Sequence, residues 1–267
     1  MRIAETKIWY AIKPYVPSAL WDHFLTLLYW ARSRKYKGEK YQCPICKMRL
    51  ERLAGNSCPR CNGGSRHRAV WLYLHRKTDL FTRPNIKLLH FAPEYCLHRR
   101  IRAHKNIQYL SGDLYSTRAM QKIDIHTIPY PENHFDVCMS LDVLMHVDDD
   151  IQAIKELVRI QDPKGWSIHL VSIDKSLEKT VRTKDLNELD RLEVFGHFDY
   201  KRNYGKDYPD ILQRQGFQVQ TIEVDTYTTK EERERYRIPE DFKIYLCTAA
   251  VSFSREADYG QLGHRSR

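Results

Sequence analysis

Four cysteines carry the plainest chemistry in this chain. Cys43 and Cys46, then Cys58 and Cys61, form two C-P-x-C knuckles separated by eleven residues. Each knuckle turns the backbone so that both thiolates face one ion, and the two together complete a tetrahedral four-sulfur site suited to Zn²⁺. The polar Ala54-Gly55-Asn56-Ser57 loop between them permits the hairpin that joins the pairs. With all four positions taken by sulfur there is no place for water or substrate, so the ion is expected to be structural, anchoring a module too small to hold its own core. Arg49, Arg52, Arg60, Arg66 and Arg68 crowd the same stretch and leave a second reading open, a ribbon that grips nucleic acid. The other three cysteines, Cys96, Cys138 and Cys247, fall in strand or helix patterns.

The second chemical signal is a pair of carboxylates, Asp113 and Asp124, each closing a short apolar run. Such runs, at 87–92, 106–112, 120–124, 135–141, 166–173, 217–224 and 243–251, alternate with helical patterns for most of their length. That alternation predicts an α/β fold, a doubly wound, Rossmann-like sheet of seven strands. The third strand is compressed, and the last two read as a hairpin whose connection, "TTKEERERYRIPED", is a solvated arm. Ligands of such sheets gather at the carboxyl ends of the strands, and an acid ending the second strand suits the two hydroxyls of a ribose. Asp113 stands nineteen residues after Glu94, a fitting distance. The first strand ends in "HFAPE", His90 to Glu94, with no glycine; Ala92 still permits close approach of a ligand, and Pro93 is suited to begin the next helix.

These residues support a resemblance. Asp124 is followed by "IHTIPYPENHFDVCMSLDVLMHV" and later by "LVRIQDPKGWSIHLVSID". In that order they resemble the class I S-adenosylmethionine-dependent methyltransferases, from Arg83 to about Val251. "LHFAPEYCL", "FGHFDYKRNYGKDYPDILQRQGF" and the four-cysteine module are further similar to a bacterial subgroup of zinc-ribbon methyltransferases. That subgroup is often found with polysaccharide biosynthesis, and its first turn reads HFAPE. The resemblance implies S-adenosyl-L-methionine as cofactor, with Asp113 at the ribose and Asp124 and Ile125 at the adenine. It places His90, Phe91, Ala92 and Glu94 at the methionine end, and Ser140 and Leu141 along the cofactor through their backbone. His90, Arg99 and Arg100 are the candidates for holding the methionine carboxylate.

Methyl transfer to oxygen needs the acceptor deprotonated as it attacks, so a histidine or carboxylate near the sulfonium is expected as general base. His146 is the first candidate. Relatives often carry an acid where Met145 stands, which argues against a metal there, and Asp148 to Asp150 read as helix N-terminal residues. His197, oriented by a carboxylate such as Asp199, is the second; it lies in a segment with Arg202, Tyr204 and Asp207 where this class often builds its acceptor pocket.

Four regions follow: an amphipathic helical segment over 1–40, the zinc ribbon over 41–68, the methyltransferase domain over 69–251 and a flexible tail over 252–267. Within the first, 18–35 reads as a helix capped by Ser18, with Leu20, Phe24, Leu27, Leu28 and Ala31 on its packed face. A membrane-surface alternative sets Trp21, Tyr29 and Trp30 beside Arg32, Arg34, Lys35 and Lys37 in the headgroup layer. With 42% hydrophobic and 29% charged residues the 267-residue chain reads as globular, and its net charge of +10 suits a polyanionic partner. No signal peptide or transmembrane segment is seen, so the expected location is cytoplasmic, with peripheral contact at the inner membrane face through the helix. The leading expectation is O-methylation of a sugar hydroxyl in a surface glycan or its precursor, with a glycan or glycolipid acceptor as partner. An rRNA or tRNA methyltransferase and a non-catalytic scaffold are the alternatives.

Overall fold

The computed structural model describes residues 18–116, 118–182, 187–197 and 199–249. The expected tail and the first seventeen residues lie outside these, as do the side chains of Ser18, Leu20 and Trp21. The chain opens with α1 (Ser18–Ser33) and a short 3₁₀ turn, then β1 (Lys37–Gln42) and β2 (Arg49–Leu50), which pair antiparallel across the first cysteine knuckle. Helix α2 (Ser65–Lys77) leads into a seven-stranded sheet. Its members are β3 (Ile86–Phe91), β4 (Ile107–Asp113), β5 (Gln121–Lys122), β6 (Phe135–Leu141), β7 (Gln161–Leu170), β10 (Phe217–Glu223) and β11 (Lys243–Ala249). Helices α3 (Tyr95–Ile101), α4 (Asp150–Ile160), α5 (Glu188–Phe195), α6 (Tyr208–Arg214) and α7 (Lys230–Tyr236) connect them, and β8 (Val181–Arg182) pairs with β9 (Arg202–Asn203) outside the sheet.

The spatial order is β10-β11-β7-β6-β3-β4-β5. The five strands from β3 to β7 run parallel, and β11 and β10 close one edge antiparallel. β3 and β6 sit at the centre and are buried along nearly their whole length. This is why they read as unbroken apolar runs, as strands covered on both faces do. Helix α4 buries Ala153, Ile154, Leu157 and Ile160, spaced to lie on one face, and Asp149 caps it by accepting the Gln152 N–H at 2.9 Å.

Four expectations need correction. The fifth strand begins five residues early, at Gln161; the Pro163-Lys164-Gly165 turn is a bulge inside it, and a Cβ at Gly165 would meet the Asp136 carbonyl oxygen at 2.3 Å. Helix α3 starts at Tyr95 with Glu94 as its cap residue, so Pro93 precedes the helix instead of opening it. The arm between the last two strands is not simply solvated: α7 closes a capping box of Thr229 and Glu232, and Glu232 pairs with Arg76 of α2 at 2.6 Å. The fourth concerns α1. Leu25 and Ser33 are buried and Tyr29 is half-buried, whereas Phe24, Leu27 and Trp30 of the predicted packed and membrane faces are 43%, 67% and 42% exposed. Polar anchors set the helix's rotation: Thr26 Oγ1 lies 2.8 Å from the Tyr95 hydroxyl, Tyr29 packs edge-on against Tyr95, and Arg32 donates to the Pro59 carbonyl. No helix among the described residues is long and apolar enough to cross a membrane.

Candidate functional site

The carboxyl ends of β3, β4 and β6 and the segment after β5 enclose a cavity of about 540 Å³, in the range of small-molecule sites. Phe91, Ala92, Asp113, Asp124, Ile125, His146 and Asp199 all lie on its wall. Ala92 has φ +48°, the left-handed conformation that glycine adopts freely, and its N–H donates to the Gly112 carbonyl at 3.0 Å. The turn therefore has the shape of a glycine turn built with an alanine. A glycine does stand on this wall, but on the neighbouring strand: a Cβ at Gly112 would meet Ile123 Cδ1 at 2.8 Å. Asp142, at the end of β6, is also left-handed, with φ +57°.

Two carboxylates, Asp113 ending β4 and Asp124 two residues past β5, are fixed from one side. Asp113 Oδ1 accepts the backbone N–H groups of Tyr115 at 2.8 Å and Ser116 at 2.7 Å. Asp124 Oδ1 accepts the His126 N–H at 2.9 Å and the same residue's ring N–H at 2.7 Å. His126 Nε2 in turn accepts the Asp149 N–H, which places the ring proton on Nδ1. The backbone bond from His126, aided by its ring and opposed by partial burial, holds the Asp124 carboxyl below the usual range.

His90, Glu94, Ser140, Leu141 and His197 are placed off this wall. Ser140 and Leu141 are buried within β6, with Ser140 Oγ 2.8 Å from His169 Nδ1; Asp142 and Val143 form the wall instead. His90 and Glu94 lie behind the turn in a buried chain. His90 Nε2 meets Glu94 Oε2 at 2.9 Å and its Nδ1 meets the Tyr109 hydroxyl at 3.0 Å. The other Glu94 oxygen faces His67 Nε2 of α2 at 3.3 Å, an ion-pair distance short of a well-aligned hydrogen bond. Because His67 Nδ1 accepts the Gly64 N–H at 2.9 Å, its proton sits on the nitrogen that faces Glu94. Burial pushes the Glu94 carboxyl upward, but His67 and His90 outweigh it and hold it well below the usual range.

His146 and Asp199 come from separate candidate groups, and the fold joins them. His146 Nδ1 lies 3.0 Å from Asp199 Oδ2 on the cavity wall, with Tyr200 edge-on to the ring. A buried polar knot holds the two loops together: Arg202 donates to the carbonyls of Leu144 and Asp148, while buried Asp150 takes the Tyr204 hydroxyl at 2.7 Å and Arg182 at 2.7 Å. His197 stacks on Tyr200 at 4.7 Å off the cavity wall, and it is His146 that meets Asp199 on the wall. Lys201 pairs with Asp148, and Asp149 and Asp150 belong to the start of α4.

The cysteine sulfurs lie within 4.8 Å of one another, with Cys43 to Cys61 at 3.6 Å and Cys46 to Cys58 at 3.7 Å. A tetrahedral zinc with bonds of about 2.3 Å requires sulfur separations of about 3.8 Å. The two knuckles repeat one backbone design: Lys47 and Asn62 are left-handed, and each donates its N–H to the carbonyl of the first cysteine at 2.8 Å. The residues fit Zn²⁺, and among those described they form the one cluster of three or more metal-type ligands.

Sequence reasoning missed the part α2 plays at the cavity. Arg66 pairs with Asp142 at 2.5 Å and His67 faces Glu94, so the exit of the second knuckle braces two turns around the cavity. Burial, opposed by Arg66 and reinforced by Glu94, raises the Asp142 carboxyl above its ordinary range. The signal available was position alone: both residues stand in the first turn of a helix that begins four residues after Cys61. Arg68 is fully buried and donates to the carbonyls of Gly63, Asn56, Tyr236 and Arg237, so it is unavailable to grip nucleic acid. Arg99 and Arg100 line a different pocket and do not reach this one.

Residues 96–169 match the family model described as a methyltransferase domain. No curated protein matches the sequence. Among solved structures, the chain is similar to the [4+2]-cyclase SpnF, at 13% identity and TM-score 0.48, over 88% of this chain and 95% of that one. It is also similar to YcgJ of Bacillus subtilis, at 14% identity and TM-score 0.42, over 68% of this chain and 94% of the other. Phosphoethanolamine N-methyltransferase 2 of Haemonchus contortus, in complex with S-adenosyl-L-methionine, aligns at 12% identity and TM-score 0.44, over 68% and 52% of the two chains.

Proposed function

We propose that the methyltransferase domain of this chain moves a methyl group from S-adenosylmethionine to a sugar hydroxyl of a surface glycan or its precursor, with His146 as general base. The observation that carries the reading is the His146–Asp199 pair on the same cavity wall as Asp113 and Asp124. Asp113, with one oxygen fixed by its own turn, offers the other to the ribose hydroxyls. Asp124 and Ile125 take the adenine, and the strand-end backbone at Phe91 and Ala92 meets the methionine end. Arg66, at the Asp142 edge, supplies the cation for the methionine carboxylate that His90, Arg99 and Arg100 do not.

When bound, the cofactor would supply the methyl group from a positively charged sulfur, which keeps the electron pair of the broken carbon–sulfur bond as a neutral thioether. His146 donates Nδ1–H to Asp199, which leaves Nε2 to accept the proton of an acceptor hydroxyl. Asp199 fixes the tautomer and offsets the charge that develops on the ring. The four thiolates hold Zn²⁺ as a structural ion and take no part in this chemistry. The sugar acceptor is supported by the resemblance of the HFAPE turn and the segment around His197 to the glycan-associated subgroup. The alternative of an RNA substrate is weakened because Arg68, one of the ribbon's arginines, is fully buried on backbone carbonyls.

The test is transfer of labelled methyl from S-adenosylmethionine to glycan fractions and to structured RNA of the host. Labelled glycan, lost in His146→Ala while cofactor binding persists, is the expected result. Labelled RNA with unlabelled glycan would overturn the acceptor assignment.

A further inference from the structure

Away from the cofactor cavity, a pocket of about 290 Å³ opens where α1, the second cysteine knuckle and the outer face of α3 meet. Its wall carries three arginines, Arg60, Arg99 and Arg100, with Thr26, Tyr95, Cys46, Cys61, Cys96 and Ala103, and no carboxylate. Arg99 is held in place: its Nη1 donates to Thr26 Oγ1 and to the Tyr95 hydroxyl, both at 2.7 Å, and its guanidinium lies 5.3 Å from the Tyr95 ring centroid. Arg60 and Arg100 are exposed, and among the described residues neither forms an ion pair.

Three like charges converging without an acid need a reason. The zinc ligands offer part of one, because four thiolates around Zn²⁺ carry two negative charges and Cys46 and Cys61 stand on the wall. Buried Arg68 already lies within the field of Cys43, Cys58 and Cys61 and answers one of those charges. Three further arginines exceed the remainder, so the pocket stays cationic. Guanidinium forks match the oxygens of a phosphoryl group, and a pre-positioned fork loses less freedom on binding than a mobile one.

We propose that this pocket binds a phosphoryl anion of the phosphomonoester or diphosphate class, carried by a soluble sugar phosphate or by a lipid headgroup. The inference rests on the arginines around the ribbon and not on the methyl acceptor assigned above.

The test is calorimetric titration of the zinc-loaded full chain with inorganic pyrophosphate at low salt, with zinc content measured before and after. Saturable binding with a stoichiometry of one is expected, weakened on the order of tenfold by Arg60→Ala or by Arg100→Ala. Arg102→Ala, which removes an exposed charge off the wall, should leave it unchanged. Co-sedimentation with phosphatidylglycerol vesicles separates the two sources. Capture that pyrophosphate competes away identifies a headgroup, and pyrophosphate binding without capture identifies a soluble phosphate. Absence of saturable binding, or equal weakening by Arg102→Ala, would overturn the proposal.

Discussion

At the scale of single residues, the glycine-free turn is resolved by conformation. Ala92 takes a left-handed φ of +48° that costs an L-residue roughly 1–2 kcal/mol, and the cost is tolerated where the surrounding strands fix the turn. Ala92→Gly relieves that strain while loosening the unfolded chain, so its stability should stay within about 1 kcal/mol of the parent. Ala92→Val adds a branched side chain at positive φ on the cavity wall, and should lower both the melting temperature and the affinity for S-adenosylhomocysteine. His146→Ala should reduce kcat at least about tenfold, with Asp199→Asn intermediate and cofactor affinity little changed in either. If His197→Ala rather than His146→Ala removed turnover, the base would be misassigned. The position of Asp113 at the end of β4 was legible from the apolar run before it, whereas Asp124, expected to end a strand over 120–124, stands two residues past the shorter β5. The His146–Asp199 pairing was not legible, because fifty-three positions separate the partners and contacts distant in sequence, the buried Arg202–Asp150 knot among them, bring them together.

At the scale of elements, the four-cysteine ribbon runs into the seven-stranded α/β domain without a linker. From Cys61 the chain passes through Gly63, whose missing Cβ avoids Ile45 at 2.9 Å, directly into α2, which delivers Arg66 to Asp142 and His67 to Glu94. The four-cysteine module is thereby tied to two turns beside the strand-end cavity and is not a detached appendage. His67→Ala leaves the Glu94 carboxylate buried with one partner fewer, and should weaken S-adenosylhomocysteine binding severalfold while zinc content stays at one per chain. Unchanged affinity in that variant would reduce the contact to simple packing. The two-knuckle spacing made the four-thiol cluster plain in the sequence, and short apolar runs located the strands to within about two residues, except the fifth, which begins five residues early. The face of α1 was misread because a stripe of apolar residues can point either way, and the anchors that decide, Tyr95 and Pro59, lie far along the chain. The same holds for the arm around α7, whose docking on Arg68 and Arg76 involves partners about 150 or more positions away.

At the scale of the whole molecule, the fold and its net charge of +10 were legible while the distribution of that charge was not, since Arg68 and Arg202 are consumed inside. Buried histidines also shape the response to acid. Burial lowers the His98 pKa to about 4 and the His169 pKa to about 3. The unfolded chain therefore binds more protons below about pH 6.5, and stability falls as the pH drops from there toward 4. Between pH 7 and pH 5 each histidine should cost about 2 kcal/mol, visible as a falling midpoint in denaturant titrations. A midpoint that does not move over that interval would mean these histidines are not held neutral. The central claim is that the cavity at the strand ends receives S-adenosylmethionine, and calorimetric titration with S-adenosylhomocysteine tests it most directly. The account predicts saturable binding at one site per chain, lost in Asp113→Ala and in Asp124→Ala with the fold intact by circular dichroism. No binding to the parent protein, or equal binding to both variants, would contradict it.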